Sequence, residues 1–335
     1  MTIELPAAGR VTGSRILGLG VYRPASVVTN AEIAERVGRT EKWIESRSGV
    51  RERRFAGPGE SLPMMSAAAA EKALAAAGVD PARVGCVLTA TTTHLTQMPS
   101  LASEVAHRIG AGRAAAFDVS AACAGFSYAL ALASDMVRAG SAEYVLMIGA
   151  ERVSDILDHE DPSTAFLFAD GAGAVVVGPS DRPGIGPVVW GSDGSRAGAV
   201  GMSGFWVPEL QRQPDLKWPV LTMSGWRVYR WATAELIPIA ARAIERAGLT
   251  PADLDAFIPH QANKLITDAI AEGLGLGEDI TVAYDIERSG NTSAASIPLA
   301  MDALLSTNAV RSGDRALLIG FGSGLVYAAQ VVELP

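Results

Sequence analysis

Three polar side chains in this sequence stand where chemistry is possible: Cys123, His260 and Asn291. Cys123 follows the apolar run 114–119 through Ser120-Ala121-Ala122, and a helix-forming stretch begins just after it at Phe126. A thiol at such a strand-to-helix turn lies beside unpaired backbone N–H groups and the positive helix end. These are expected to bring its pKa below roughly 8.5 and make it a nucleophile. Taken alone, the same thiol also fits a buried structural cysteine, which is how Cys86, inside an apolar strand, is read. His260 closes the apolar run 254–259, and Gln261-Ala262-Asn263 then opens a helix. The carboxyl end of a strand faces the crevice where open α/β folds place their sites. A hydrogen-bonded structural histidine is the alternative. His94, His107 and His159 lack this context, and no Cys and His share metal-ligand spacing, so no metal site is expected. Asn291, in Ser289-Gly290-Asn291-Thr292-Ser293, reads first as a helix N-cap.

The elements that must position these residues are repeated. Ala77-Gly78-Val79-Asp80-Pro81-Ala82 and Ala247-Gly248-Leu249-Thr250-Pro251-Ala252 lie 170 residues apart, and each leads into an apolar strand. Each copy reads as a helix ending at Gly, a Pro-started turn, then a buried strand. Two further blocks follow in the same order: 144–149 resembles 316–320, and 169–173 resembles 320–324. The spacing is too long for a solenoid. Two similar α/β halves are expected, 1–180 carrying the Cys and 181–335 carrying the His and Asn, each with a mainly parallel buried sheet. Loops and short strands are expected over 179–219, and a helix over 225–247, kinked or interrupted near Pro238. From Gly78 to Cys123 is 45 residues and from Gly248 to Asn291 is 43, so Asn291 stands near the position in the second half that Cys123 holds in the first. That raises its chemical reading above the capping one.

Composition narrows the alternatives. Of 335 residues, 49% are hydrophobic and 19% charged, and 35 are Gly, which suits closely packed α/β layers. A net charge of −8 argues against nucleic-acid binding. Two cysteines make no disulfide framework. Residues 1–6 show no signal peptide, and no stretch approaches the ~20 apolar residues that span a bilayer, so a cytoplasmic protein without a membrane partner is expected. The runs Gly171-Ala172-Gly173 and Gly322-Ser323-Gly324 precede strands, not helices, so neither is a dinucleotide fingerprint. The second run suits oxyanion donors better. No cofactor is implied.

Four motifs then carry a resemblance: Ala122-Cys123-Ala124-Gly125-Phe126, His260-Gln261-Ala262-Asn263, Gly290-Asn291-Thr292-Ser293-Ala294-Ala295-Ser296 and Gly320-Phe321-Gly322-Ser323-Gly324. The sequence resembles β-ketoacyl-acyl-carrier-protein synthase III of the thiolase superfamily over essentially its whole length, most strongly the actinobacterial forms that prime fatty acids and aromatic polyketides. The resemblance implies a thiolase-like fold of two pseudo-duplicated αβαβα halves with buried five-stranded sheets. It also implies a homodimer that uses an acyl thioester, on coenzyme A or a carrier protein, together with malonyl-carrier protein. Cys123 would hold the acyl group, and His260 and Asn291 would stabilise the enolate left by decarboxylation. The backbone N–H groups of Cys123 and Ser323 would hold the oxyanion. By the same resemblance Trp43 and Arg47 would meet the coenzyme A nucleotide, Asn263 would position pantetheine, and Met98 would close the partner's acyl pocket. Lys264, Arg227 and Arg230 offer positive charge to an acidic carrier. Trp226 stands where a smaller residue commonly lines the pantetheine entrance. Leu265 and Pro162 stand where Arg is usual, which implies a weaker hold on coenzyme A. Acyl transfer without condensation is the alternative within the fold; a catalytically silent dimer partner is the alternative outside enzymes, and the intact Cys-His-Asn set argues against it.

Overall fold

The computed structural model describes residues 11–204 and 218–335. The N-terminal residues read for a leader, and 205–217 of the joining segment, lie outside the described residues. The described chain forms five layers, helix–sheet–helix–sheet–helix. The first sheet has the order Gly13–Tyr22, Asp170–Ser180, Tyr144–Arg152, Val84–Ala90, Ala115–Val119. The second has the order Val189–Ser192, Val326–Glu333, Arg315–Gly322, Ala256–Pro259, Thr281–Val282. Read this way the two sheets have the same pattern: two antiparallel pairings, then two parallel ones.

The expectation of mainly parallel sheets is therefore corrected to mixed ones. Continuous apolar runs such as 174–177 suggest parallel strands because burial on both faces usually accompanies helical crossovers. Here helices cover both faces while Val326–Glu333 returns from Arg315–Gly322 by a tight hairpin, which only antiparallel pairing allows.

Outer helices Leu62–Ala77 and Leu101–Arg108 cover the first sheet, and Gly225–Arg246 with Lys264–Gly273 cover the second. Between the sheets lie Gly125–Arg138 and Ser296–Ser306, whose Phe126, Leu130, Ile297 and Met301 share one core with both sheets. The repeated turns form as the residues dictate. Helix Leu62–Ala77 stops at Gly78, at φ 63°, and Gly225–Arg246 gives way to Gly248 at φ 74°. Proline then opens a short 3-10 turn in each copy, Pro81–Arg83 and Pro251–Asp253. Gly225–Arg246 runs through Pro238 without interruption.

The two central helices begin alike. Each follows a 3-10 turn, Ala122–Ala124 or Ser293–Ala295, whose first residue has a positive φ: 44° at Ala122 and 50° at Ser293. Ser293 is thus the counterpart of Ala122, and Asn291 precedes the true counterpart of Cys123 by three residues. This difference fixes what each does, since Asn291 lies on the approach to its helix and Cys123 inside the turn.

Candidate active site

Both helix starts open on one place. A narrow cavity of about 80 Å³ is lined by Cys123, His260, Asn291, Phe321, Gly322 and Ser323, and leads outward past Tyr229, Ala262 and Asn263. A second cavity of about 400 Å³ begins at the same Cys123 and Ser323 and is walled by Val153, Ile156, Phe168, Met202, Leu221 and Val326. The thiol stands where a channel from the surface meets an apolar pocket. Cys86 is fully buried in Val84–Ala90 and reaches neither.

His260 leaves strand Ala256–Pro259 with its N–H bonded to the Ile319 carbonyl at 2.8 Å, so the two parallel strands set its height. Its Nδ1 lies 2.7 Å from Ser296 Oγ, and the Gln261 N–H donates to the same oxygen at 3.3 Å. With that N–H already on the oxygen, the arrangement suits a hydroxyl that donates to Nδ1 and leaves Nε2 as the proton-bearing nitrogen. Phe321 meets the ring edge-on at 5.1 Å. Burial pushes the imidazole pKa down to about 3, so it is a neutral hydrogen-bond donor.

Asn291 is held by its own backbone. Its N–H donates to Leu167 O at 2.8 Å, and its carbonyl accepts from Ala169 N–H at 2.9 Å, forming a bridge to the segment at Phe168. The Ser293 N–H donates to Asn291 Oδ1 at 2.9 Å. The amide oxygen is therefore engaged, and the amide NH₂ is the group available for a ligand carbonyl. The capping reading of Asn291 survives only as this Asx-type turn. Beneath the bridge sits Arg53, fully buried, whose guanidinium donates to Phe166 O, Asn30 Oδ1 and Val28 O. Burial without a bonded carboxylate lowers its pKa to about 10. Sequence reading missed Arg53 and Ser296, since only tertiary contact connects them to Asn291 and His260.

For Cys123 the expected low pKa is not what the site provides. Burial pushes the thiol up to about 12; a hydrogen bond with Ser293 works in the opposite sense, while the nearby Glu151 carboxylate raises it further. Sequence reasoning counted the helix end and could not count the desolvation or a carboxylate that only the fold brings near. Gly322 packs closely against the thiol residue: a Cβ there would lie 2.8 Å from Cys123 N and 2.9 Å from its Cβ. Gly322→Ala must shift the nucleophile or the hairpin. Since ~1 Å of misplacement can cost about 10²-fold, acylation of Cys123 is expected to slow by one to two orders of magnitude, roughly, with the fold retained. Stopped-time mass analysis of the acyl-enzyme checks it, and a parental rate contradicts it.

The mouth of the channel gathers some of the expected residues. Trp43 is half-buried, edge-on to Phe166 at 5.2 Å, with the Arg39 and Arg47 guanidinium groups 5.5 and 6.0 Å from its ring centre. Asn263 caps helix Lys264–Gly273 by accepting from Leu265 N–H at 2.8 Å, and donates to Arg47 O at 2.8 Å, tying the two rims together. Trp226 does not line the channel. It is 67% exposed, stacked on Tyr229 at 6.1 Å, and borders a surface hollow with Arg196, Arg227 and Arg230. Tyr229, one helical turn on, is the residue that enters, because the inner face of this helix carries Val228 and Tyr229. Lys264, expected to offer positive charge, pairs with Asp268 at 3.2 Å and lies 3.6 Å from the Tyr284 ring centre. Leu265 stands 44% exposed beside it. Met98 is 77% exposed and lines neither cavity of its own chain; Leu95 and Phe117 are exposed as well. Among the described residues no group of three His, Cys, Asp or Glu could hold a metal ion, and no helix is long and apolar enough to cross a membrane.

Comparison with known proteins agrees with this fold. Residues 117–194 match the family model described as 3-oxoacyl-[acyl-carrier-protein] synthase III, and residues 244–334 match its C-terminal counterpart. A beta-ketoacyl-[acyl-carrier-protein] synthase III of Streptomyces coelicolor is 54% identical, with 96% of each chain covered. A mycobacterial synthase III of Mycobacterium avium is 46% identical over 99% of each. Among solved structures, the priming beta-ketosynthase of a polyketide biosynthetic pathway superposes with a TM-score of 0.96 at 48% identity, covering 99% of this chain and 98% of the other. The synthase III of Pseudomonas aeruginosa gives 0.90 at 36%, covering 96% and 98%.

Proposed function

We infer the reaction from one premise: this chain belongs to the 3-oxoacyl-[acyl-carrier-protein] synthase III family. It is an acyltransferase of the condensing type, with a thiolase-like fold, and it carries out decarboxylative condensation for chain initiation in fatty-acid or polyketide synthesis. The observation that carries the residue assignment is the opening of Cys123, His260 and Asn291 onto one cavity with an apolar pocket beyond. An acyl thioester enters past Trp43 and Asn263, and Cys123 Sγ attacks its carbonyl while the chain settles into the pocket. Malonyl-carrier protein then places its thioester carbonyl between His260 Nε2–H and the Asn291 amide. CO₂ leaves, the two donors hold the enolate oxygen, and the enolate carbon attacks the acyl-Cys123 carbonyl. The backbone N–H groups of Cys123 and Ser323 receive the resulting oxyanion. Transfer without condensation would leave the His260–Asn291 donor pair without a task.

Arg227 and Arg230, one helical turn apart beside Trp226, form the carrier contact, joined by Arg196. The edge strand Ala115–Val119, with Phe117 exposed, supports a homodimer through that edge, with Met98 reaching the partner. We read the division of the chain as 1–180 and 181–335, and its place of action as the cytoplasm. Intact-protein mass after exposure to a panel of acyl thioesters tests the function: one acyl adduct per chain, mapped to Cys123, is expected, and no adduct with any donor refutes it. The branched walls of the pocket, Val153, Ile156 and Leu221, favour short or branched acyl groups over long straight ones. Efficient loading of a twelve-carbon chain would contradict this.

A further inference from the structure

Behind Cys123 lies a carboxylate that the reaction course above does not use. Glu151, in the buried strand Tyr144–Arg152, is fully enclosed. Donors converge on it from the turn after Val84–Ala90: Thr93 Oγ1 at 2.5 Å, Thr93 N at 3.0 Å, Thr92 N at 3.1 Å, and Thr91 and Thr92 hydroxyls at 3.2 Å. From the opposite half, Ser293 Oγ donates to its Oε1 at 3.0 Å. None of these partners is a cation. Ser293 and Cys123 line the same cavity, so the hydroxyl held on the carboxylate lies on the side of the thiol.

Two features suggest more than a structural tie. Ser293 holds φ at 50°, a left-handed conformation that a side chain adopts at a cost, while its hydroxyl reaches Glu151 across the halves. The charge balance is also specific. A thiolate near a buried carboxylate would be a second negative charge close to the first, which partly desolvated surroundings oppose. If the thiol proton moves to the carboxylate, the cluster carries one negative charge before and after.

We propose that Glu151, acting through the Ser293 hydroxyl, takes up the Cys123 proton when the acyl group is loaded and returns it when condensation frees the thiolate. During loading the Sγ–H bond breaks and its proton passes to Ser293 Oγ, while the Ser293 proton passes to Glu151 Oε1. Sγ forms its bond to the acyl carbon, the donor's C–S bond breaks, and the departing thiolate takes a proton from water. During condensation the enolate carbon bonds to the acyl carbon and the Cys123–acyl bond breaks. The proton then retraces its path, leaving thiol and carboxylate as at the start. Glu151 is thus a positioning residue and proton store that acts through Ser293. The inference rests on Cys123 being the acylated residue.

Single-turnover acylation of Cys123, followed by mass against donor concentration, tests it in Glu151→Gln, Ser293→Ala and the double variant. Proton transfer by a placed group contributes about 10²–10⁴-fold, so each single variant should lose at least about 10²-fold in the limiting rate, with the half-saturating donor concentration unchanged. The double variant should lose no more than the worse single one, since both remove one path. Glu151→Asp should recover part of the loss. Ser293→Ala guards against misfolding, because Ala122 already holds the matching conformation in the other half. If Glu151→Gln does not fold, Ser293→Ala decides alone. A parental limiting rate in Ser293→Ala, losses that multiply in the double variant, or a loss confined to donor affinity would each overturn the proposal. Absence of label on Cys123 in the parent would instead overturn the function beneath it, and the proton path with it.

Discussion

Cys123→Ala should leave a folded protein that takes up no acyl group and forms no condensation product. The channel and the pocket meet at this sulfur, and Cys86, the other thiol, is sealed inside a strand. Loss of a covalent nucleophile typically costs on the order of 10⁴-fold or more, since the remaining groups have no intermediate to act on. Release of CO₂ from malonyl-carrier protein should persist, because His260 and Asn291 are anchored to Ser296, Ile319, Leu167 and Ser293, not to the thiol. Peptide mapping of the parent and CO₂ release by the variant are the two measurements. Acyl label on Cys86, or a variant that still condenses, would end the assignment.

Asn291→Ala should show the converse division. Its amide is one of two donors to the enolate, and removing one such donor costs about 10²–10³ in rate. CO₂ release is expected to fall by that factor while acylation of Cys123 continues. Decarboxylation at the parental rate would place the enolate elsewhere. His260, the second donor, makes a pH prediction with a definite sign. Burial lowers its pKa from 6.5 to about 3, so it stays a neutral donor from pH 8 to pH 5. The unfolded chain protonates this imidazole near 6.5 while the folded one does not. The stability linked to it is therefore complete above pH 6.5 and is lost as pH falls toward 3, by roughly 1.4 kcal/mol per pH unit. Urea midpoints of the parent should drop over that window more steeply than those of His260→Phe, which has nothing to protonate. Parallel slopes would mean that the ring is solvated.

Much of this protein is legible in its sequence because local rules were followed twice. Helix, Gly78, Pro81 and strand form one unit, and helix, Gly248, Pro251 and strand form the same unit again. Those residues set their own φ angles and turn types, so their positions could be read from residue identity. The strand end at His260 and the turn at Cys123 were legible for the same reason. Pairing direction was not, since a strand covered on both faces looks alike whether its neighbours run parallel or antiparallel.

What the sequence determined by itself is therefore the duplicated unit, the presence of a thiol at one helix start, and a histidine and an asparagine at loop ends of the other half. The tertiary structure alone decided their chemistry. Packing two sheets against one central helix layer brought Cys123 and Ser293 to one cavity, enclosed Glu151, and set the desolvation that moves Cys123 and His260 from their ordinary pKa values. It also turned Trp226 outward and Tyr229 inward, and tied Lys264 to Asp268 and Tyr284. Helix ends and turns act over one or two residues, so a sequence displays them. Desolvation and charge act through space between residues far apart in the chain, and only the folded arrangement sets those distances.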